Sequence, residues 1–123
     1  MKMETHLEFG NLYTKPEVKQ HWVIGHFIDP STPFYEKNFS LKWSKLKKGE
    51  SRTEPAFTAE AKTFDILVYG KHRVNFPDLN KSVLLNKEGD YVYFAPGVAH
   101  TWESLEDSLI VSLRWPSAPE QTE

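Results

Sequence analysis

The sequence predicts an all-β protein, folded as one antiparallel barrel or sandwich. Three observations predict it. Short runs of aromatic and β-branched residues recur at close spacing, each bounded by turn residues. Aromatics make up 14% of the chain, which is rich for its size and suits pleated, partly buried strands. Apolar residues do not recur at three-four spacing over any long window, so no helix of useful length is expected. At 123 residues the chain is expected to be one domain with a single core.

Composition argues against several classes of function. Formal net charge is −2 with no basic excess, so no nucleic-acid partner is expected. There is no cysteine, which excludes disulfides and thiolate metal ligands and suits a reducing cytoplasm. The first residues, with Glu4, His6 and Glu8, do not read as a signal peptide. No apolar run approaches the roughly 20 residues that span a bilayer, so no membrane partner is expected. A phosphate-cradling glycine loop, a His-Glu-x-x-His and a nucleophile elbow are all missing.

Residues 1–20 read as a polar N-terminal arm, with a short strand at Leu7 to Phe9 and His6 on the surface. His21 to Ile28 is the first clear strand. Trp22, Ile24, His26 and Ile28 share one face, and His21, Val23, Gly25 and Phe27 the other. Both faces are largely apolar, which predicts cover on both sides. His26 is therefore either a core or interface histidine or a ligand contact. Asp29 to Pro33 ends the strand as a proline-rich loop.

Phe39 to Leu46 alternates, with Phe39, Leu41 and Trp43 on a dry side and Ser40, Lys42 and Ser44 on a wet one. The lysines from Lys42 to Lys48 read as a solvated edge. Gly49 marks a turn, and Glu54 and Glu60 read as loop residues. Lys62 to Tyr69 is a strand with Phe64, Ile66 and Val68 on one face and Thr63, Asp65, Leu67 and Tyr69 on the other. After the turn at Gly70-Lys71, His72 to Phe76 is the next strand, with His72 expected in solvent beside the turn. Pro77 to Asn80 is a loop, Ser82 to Leu85 a short strand, and Asn86 to Asp90 a turn.

Tyr91 to Phe94 suits a partly buried strand. Pro96-Gly97 is a strong turn, because proline presets one corner dihedral and glycine accepts the left-handed one. His100 and Trp102 then open a strand on a shared face. Glu103 to Asp107 is an acidic turn. In the last strand, Ser108 to Trp115, the residues Leu109, Val111, Leu113 and Trp115 are expected to face the core, and Ser108, Ile110, Ser112 and Arg114 away from it. Arg114 offers a cation–π contact to a tryptophan. Pro116 and Pro119 end the pattern, and residues 117–123 are expected to form a loose, flexible tail.

Gly89, Gly97 and His100 fall in register with a known pattern: glycine, five residues, proline, one residue, glycine, two residues, histidine. The segment resembles the second motif of the cupin family, with Ala95 at the first proline and Ser104 where an asparagine often follows. More weakly, the resemblance runs from about Phe39 to Trp115. It implies an antiparallel double-stranded β-helix, the jelly-roll cupin barrel, over residues 21–116. In that family the motif histidine sits inside the barrel and usually binds a divalent metal. Gly49 and Gly70 match the ends of the first motif, but its histidine positions hold Pro55 and Phe57 and its glutamate position holds Thr63. Residues 27–71 contain no histidine. A tightly held transition metal usually needs three or four protein ligands, so no metal or other cofactor is expected. Glu54 and Glu60 are the candidate substitute oxygen ligands, and if a divalent metal binds, His26 or His72 must complete the set from another strand. The resemblance also points the Thr63 face inward, which makes Asp65 either a site residue or half of a structural ion pair.

Two readings of function follow, and a structural or partner-binding module is a third. In the first, the barrel binds a small organic ligand in an aromatic pocket formed by His100, Trp102, Trp43 and Asp65, with His26 behind them. In the second, it is an enzyme. That enzyme is either a metal-dependent dioxygenase or isomerase, or a metal-free isomerase or epimerase with His100 as acid/base. A homodimer is expected, since small cupins commonly pair through their sheets.

Overall fold

Residues 7–15 and 21–122 are described by a computed structural model. The strands are β1 (Trp22–Ile24), β2 (Ser40–Leu46), β3 (Ser51–Phe57), β4 (Lys62–Tyr69), β5 (His72–Phe76), β6 (Lys81–Leu85), β7 (Tyr91–Phe94), β8 (His100–Ser104), β9 (Ser108–Trp115) and β10 (Gln121–Thr122). They form two five-stranded sheets in the orders β1-β2-β9-β4-β7 and β10-β3-β8-β5-β6. Every strand pairing is antiparallel. The sheets close on a shared core as a double-stranded β-helix. Helical structure among the described residues is confined to one short 3-10 turn, Pro77–Leu79.

The strands β4, β5, β7 and β9 lie where turn chemistry and alternation predict them. Gly97 takes φ 83°, the left-handed conformation that the Pro96-Gly97 corner requires. Elsewhere the structure differs from the expectation. The first strand stops at Ile24, because the chain folds back at Gly25, where a Cβ would lie 2.5 Å from Cζ of Phe27. Ser51–Phe57, read as loop, is a strand paired with β8, and its register shifts between Arg52 and Ala56, around Pro55. Leu7 to Phe9 form no strand. His6 lies outside the described residues.

The largest correction concerns direction. In β2 and β9 the faces are reversed: Ser40, Ser44 and Leu46 are buried, as are Ser108, Ile110, Ser112 and Arg114. Phe39 and Trp115 are 37% and 39% exposed. Alternation alone cannot choose here, because both faces carry apolar residues. Register chooses. Leu67 pairs with Ile110, Asp65 with Ser112 and Thr63 with Arg114, and residues directly opposite share a face. The same rows continue into β2, where Ile110 meets Ser44, Ser112 meets Lys42 and Arg114 meets Ser40. Lys42 is thus an interior residue of a central strand, not part of a solvated edge. The outer face carries Trp43, Val111, Ile66 and Tyr91 in one row and Leu41, Leu113, Phe64 and Tyr93 in the next.

The dry core gathers Leu46, Leu67, Val92, Phe94 and Ile110 from the first sheet and Val74, Phe76 and Leu85 from the second. Beside it the interior changes character.

Candidate functional site

A cavity of about 150 Å³ lies between the sheets. The first sheet contributes Lys42 and Ser44 from β2, Thr63 and Asp65 from β4, and Ser112 and Arg114 from β9. The second contributes Arg52 from β3, His72 from β5, and His100 and Trp102 from β8. Val74, Phe94 and Ile110 close it against the dry core.

One residue of the C-terminal segment also enters. Glu120 meets Arg52 (Nη1 to Oε1, 2.8 Å), Arg114 (Nη2 to Oε2, 2.8 Å) and His100 (Nε2 to Oε2, 3.2 Å). It is carried there by β10, which pairs with β3 through Gln121↔Phe57 and Thr122↔Ala56, while Ala118 is 5% exposed. The tail expected to be loose therefore takes a defined course and adds a strand to the second sheet. Arg114 also stacks over the Trp22 ring at 4.6 Å, the cation–π contact its position suggested.

The two interior carboxyls are driven apart. Burial works to raise the Glu120 carboxyl, but hydrogen bonds from His100 and Arg52 and the charges of Arg114 and Arg52 outweigh it and hold Glu120 well below the usual carboxylate range. Burial pushes Asp65 up, against a hydrogen bond from Ser112 and the charges of His100, Lys42 and Arg114. Burial also lowers Lys42 and Arg114, each opposed by Glu120. His72 falls to about 4, through burial and then the charge of Lys42, so it is neutral near pH 7. Its Nδ1 lies 2.9 Å from the Ser104 hydroxyl.

His100 is 6% exposed, with its ring 4.6 Å from that of Phe94. Its Nε2 is within reach of both Glu120 and Arg52 Nη2, the latter at 3.1 Å. Nε2 either donates to the carboxylate or, bare, accepts from the guanidinium. Its Nδ1 is buried and finds no partner among the described residues.

Of the predicted site residues, His100, Trp102 and Asp65 converge on the cavity. Trp43 does not: it faces outward and its Nε1 donates to the Tyr13 hydroxyl at 2.9 Å. The face reversal of β2 put it there. His26 lies outside the cavity, with its backbone N–H and ring Nδ1 on Ser117 Oγ at 3.0 and 2.6 Å. His72, expected in solvent, is 4% exposed and lines the cavity. Sequence reasoning missed Lys42, Arg52, Arg114 and Glu120. Lys42 and Arg114 could have been found from the strand pattern, since each shares a face with residues now seen to point inward. Nothing local marks Arg52 or Glu120.

The residues do not fit a divalent metal. Among the described residues no three His, Asp or Glu side chains gather closely enough to hold one. The imidazole nitrogen that faces the interior carboxylate has a guanidinium 3.1 Å away, and a fixed positive charge there opposes a metal cation. Glu54 and Glu60 are exposed, and His26 and His72 are engaged with serines.

No family model and no curated protein matches the sequence. Solved structures do. KdgF from Halomonas sp. is similar at 21% identity and TM-score 0.59, over 68% of this chain and 75% of that one. An RmlC-like cupin from Shewanella frigidimarina is 16% identical at TM-score 0.57, over 68% and 70%. PAC13 from Streptomyces, a variant in complex with uridine, is 11% identical at TM-score 0.61, over 72% and 70%. At such identities the likeness establishes the fold, the double-stranded β-helix of cupin proteins. No helix among the described residues is long and apolar enough to cross a membrane.

Proposed function

We propose that this protein binds a small organic molecule in its interior cavity, using protein side chains alone. One observation carries the reading: the cavity buries lysine, arginine, histidine and carboxylate groups where the same fold could place apolar side chains. A buried ionic network is weak as a source of stability compared with well-packed apolar residues. Convergent polar groups in a pocket, with carboxyls displaced from their ordinary range, are the usual mark of a site. Size supports a small ligand, because an apolar cavity of about 150 Å³ takes a benzene molecule. PAC13, a protein of this fold, is seen with a small polar organic molecule, uridine.

A thermal-shift screen of small organic acids, nucleosides and sugars tests the reading. A ligand at about 100 times its dissociation constant stabilises the native state by about 2.7 kcal/mol. A hit that disappears in His100→Ala supports the cavity, and a complete blank across the screen counts against it. Metal analysis of untagged protein should find no stoichiometric divalent ion.

The second reading is a metal-free isomerase or epimerase. It is favoured by Asp65, raised, and Glu120, depressed, sharing one cavity with His100. His100 would take a proton from the ligand, and Asp65 would return one. Exchange of ligand hydrogen for solvent deuterium would separate catalysis from binding alone.

The outer face of the first sheet, with Tyr91 62% and Tyr93 46% exposed, supports a homodimer through that face, which sedimentation would check. The cysteine-free composition supports a cytoplasmic location.

A further inference from the structure

The Glu120 side chain is seated as a ligand would be. The Arg52 fork presents Nη1 to Oε1 at 2.8 Å and Nη2 to Oε2 at 3.4 Å, while Arg114 and His100 both address Oε2. Planar, forked donors on a carboxylate are the geometry by which proteins select that group. The donors and the occupant differ in how they are held. His100 and Arg114 stand on β8 and β9, strands paired along most of their length, and Arg52 stands on β3 where it pairs directly with Trp102 of β8. Beyond the anchors at Ser117 and Ala118, Glu120 is held by a two-residue strand at the sheet edge, both of whose residues are exposed, and by the ion pairs themselves.

We propose that Arg52, Arg114 and His100 form a subsite for the carboxylate of a small organic acid, and that Glu120 fills it until that acid takes its place. The proposal rests on the binding reading above and gives it a ligand class. Charge supports the exchange. With Glu120 withdrawn, Arg52, Arg114 and Lys42 face the cavity with one fewer compensating charge, and a ligand carboxylate restores it. Unused capacity supports it too. Nε of Arg52 and Nε of Arg114 are buried and find no partner among the described residues, so a ligand with more acceptor atoms than one carboxylate can be met. The remaining volume, bounded by Asp65 and Trp102, limits the rest of the acid to a few atoms.

Acetate and succinate are the probes. In Glu120→Ala, either should bind at least about tenfold tighter than in the unaltered protein, read by the His100 ring resonances and by the melting temperature against chloride at matched ionic strength. Glu120→Gln, which keeps the side chain's size, should show the same direction and serves if the alanine variant does not fold. In the unaltered protein, saturating acetate should speed amide exchange at the β10–β3 pairing as the segment leaves. The proposal is overturned if both variants bind the probes no tighter than the unaltered protein, or if chloride matches acetate. A neutral ligand that binds the cavity equally well with and without Glu120 would overturn this subsite while leaving the cavity reading in place. A protein that takes no ligand in any form ends both.

Discussion

The barrel interior holds two different media side by side. On one side Leu46, Leu67, Val74, Leu85 and Ile110 make a dry core with no charge to satisfy. On the other, Lys42, Asp65, Arg52, Arg114 and Glu120 share a cavity. The same strands build both: β4 contributes Leu67 to one and Asp65 to the other, and β9 contributes Ile110 and Ser112. Two positions along a strand separate them. The difference shows that this fold divides labour along its strands. The dry side holds the sheets together, and the charged side depends on that rigidity to keep poorly solvated groups in contact.

The largest effect is expected on the dry side. Leu67 is 1% exposed, and Leu67→Ala should lose about 2–5 kcal/mol of unfolding free energy in a denaturant titration. A loss below 1 kcal/mol by the same measure would mean that the charged side carries more of the stability than the division allows.

Next comes acid. His72 is neutral in the folded protein with its value at about 4, against 6.5 unfolded. The unfolded chain takes up a proton first, so stability is intact above pH 6.5 and drains as pH falls from 6.5 toward 4. The full effect is about 3 kcal/mol by linkage. Urea melts across that window should show it, and His72→Phe should flatten this component of the profile.

Glu120 tests the charged side directly. Its carboxyl is depressed, so it contributes stability above the ordinary value of 4.5, which is lost as pH falls below that. Glu120→Gln should cost about 1.5–3 kcal/mol at pH 7, the range for hydrogen bonds to charged groups, and less at pH 3, where the contribution has begun to drain but the folded carboxyl is still ionised. An equal cost at both pH values would assign the effect to β10 packing instead of charge.

The smallest effect has the opposite sign. Asp65 is raised by burial, so ionising it opposes folding: its contribution is favourable below the unfolded 3.8 and is lost as pH rises through the folded value. Asp65→Asn should leave stability at pH 7 unchanged or raise it by up to about 1 kcal/mol. A clear loss would show that Asp65 is needed as an anion opposite Lys42, making the charged side a structural ion pair.

Legibility followed the range of the interaction. Pro96-Gly97, the aromatic run Tyr91 to Phe94 and the alternation of Lys62 to Tyr69 are local, and the structure has them where they were expected. The inward direction of Asp65 came from the resemblance, and the structure agrees. Trp43 was misplaced because a tryptophan on an alternating strand reads as core, yet this sheet has aromatics on its outer face as well. His72 was misplaced because a residue beside a turn reads as exposed, whereas its partner Ser104 on β8 carries it inside.

Sequence alone therefore determined where most strands and turns fall, that the fold is all-β, and that the usual metal-binding histidines are missing. Those follow from backbone preference and side-chain identity, which act within a few residues. Tertiary structure decided which face of β2 and β9 looks inward, because that depends on the register each strand finds with its neighbours. It also decided that Arg52 and Glu120, 68 positions apart, would meet over His100. Nothing near either residue encodes that meeting, since it exists only once β10 has paired with β3.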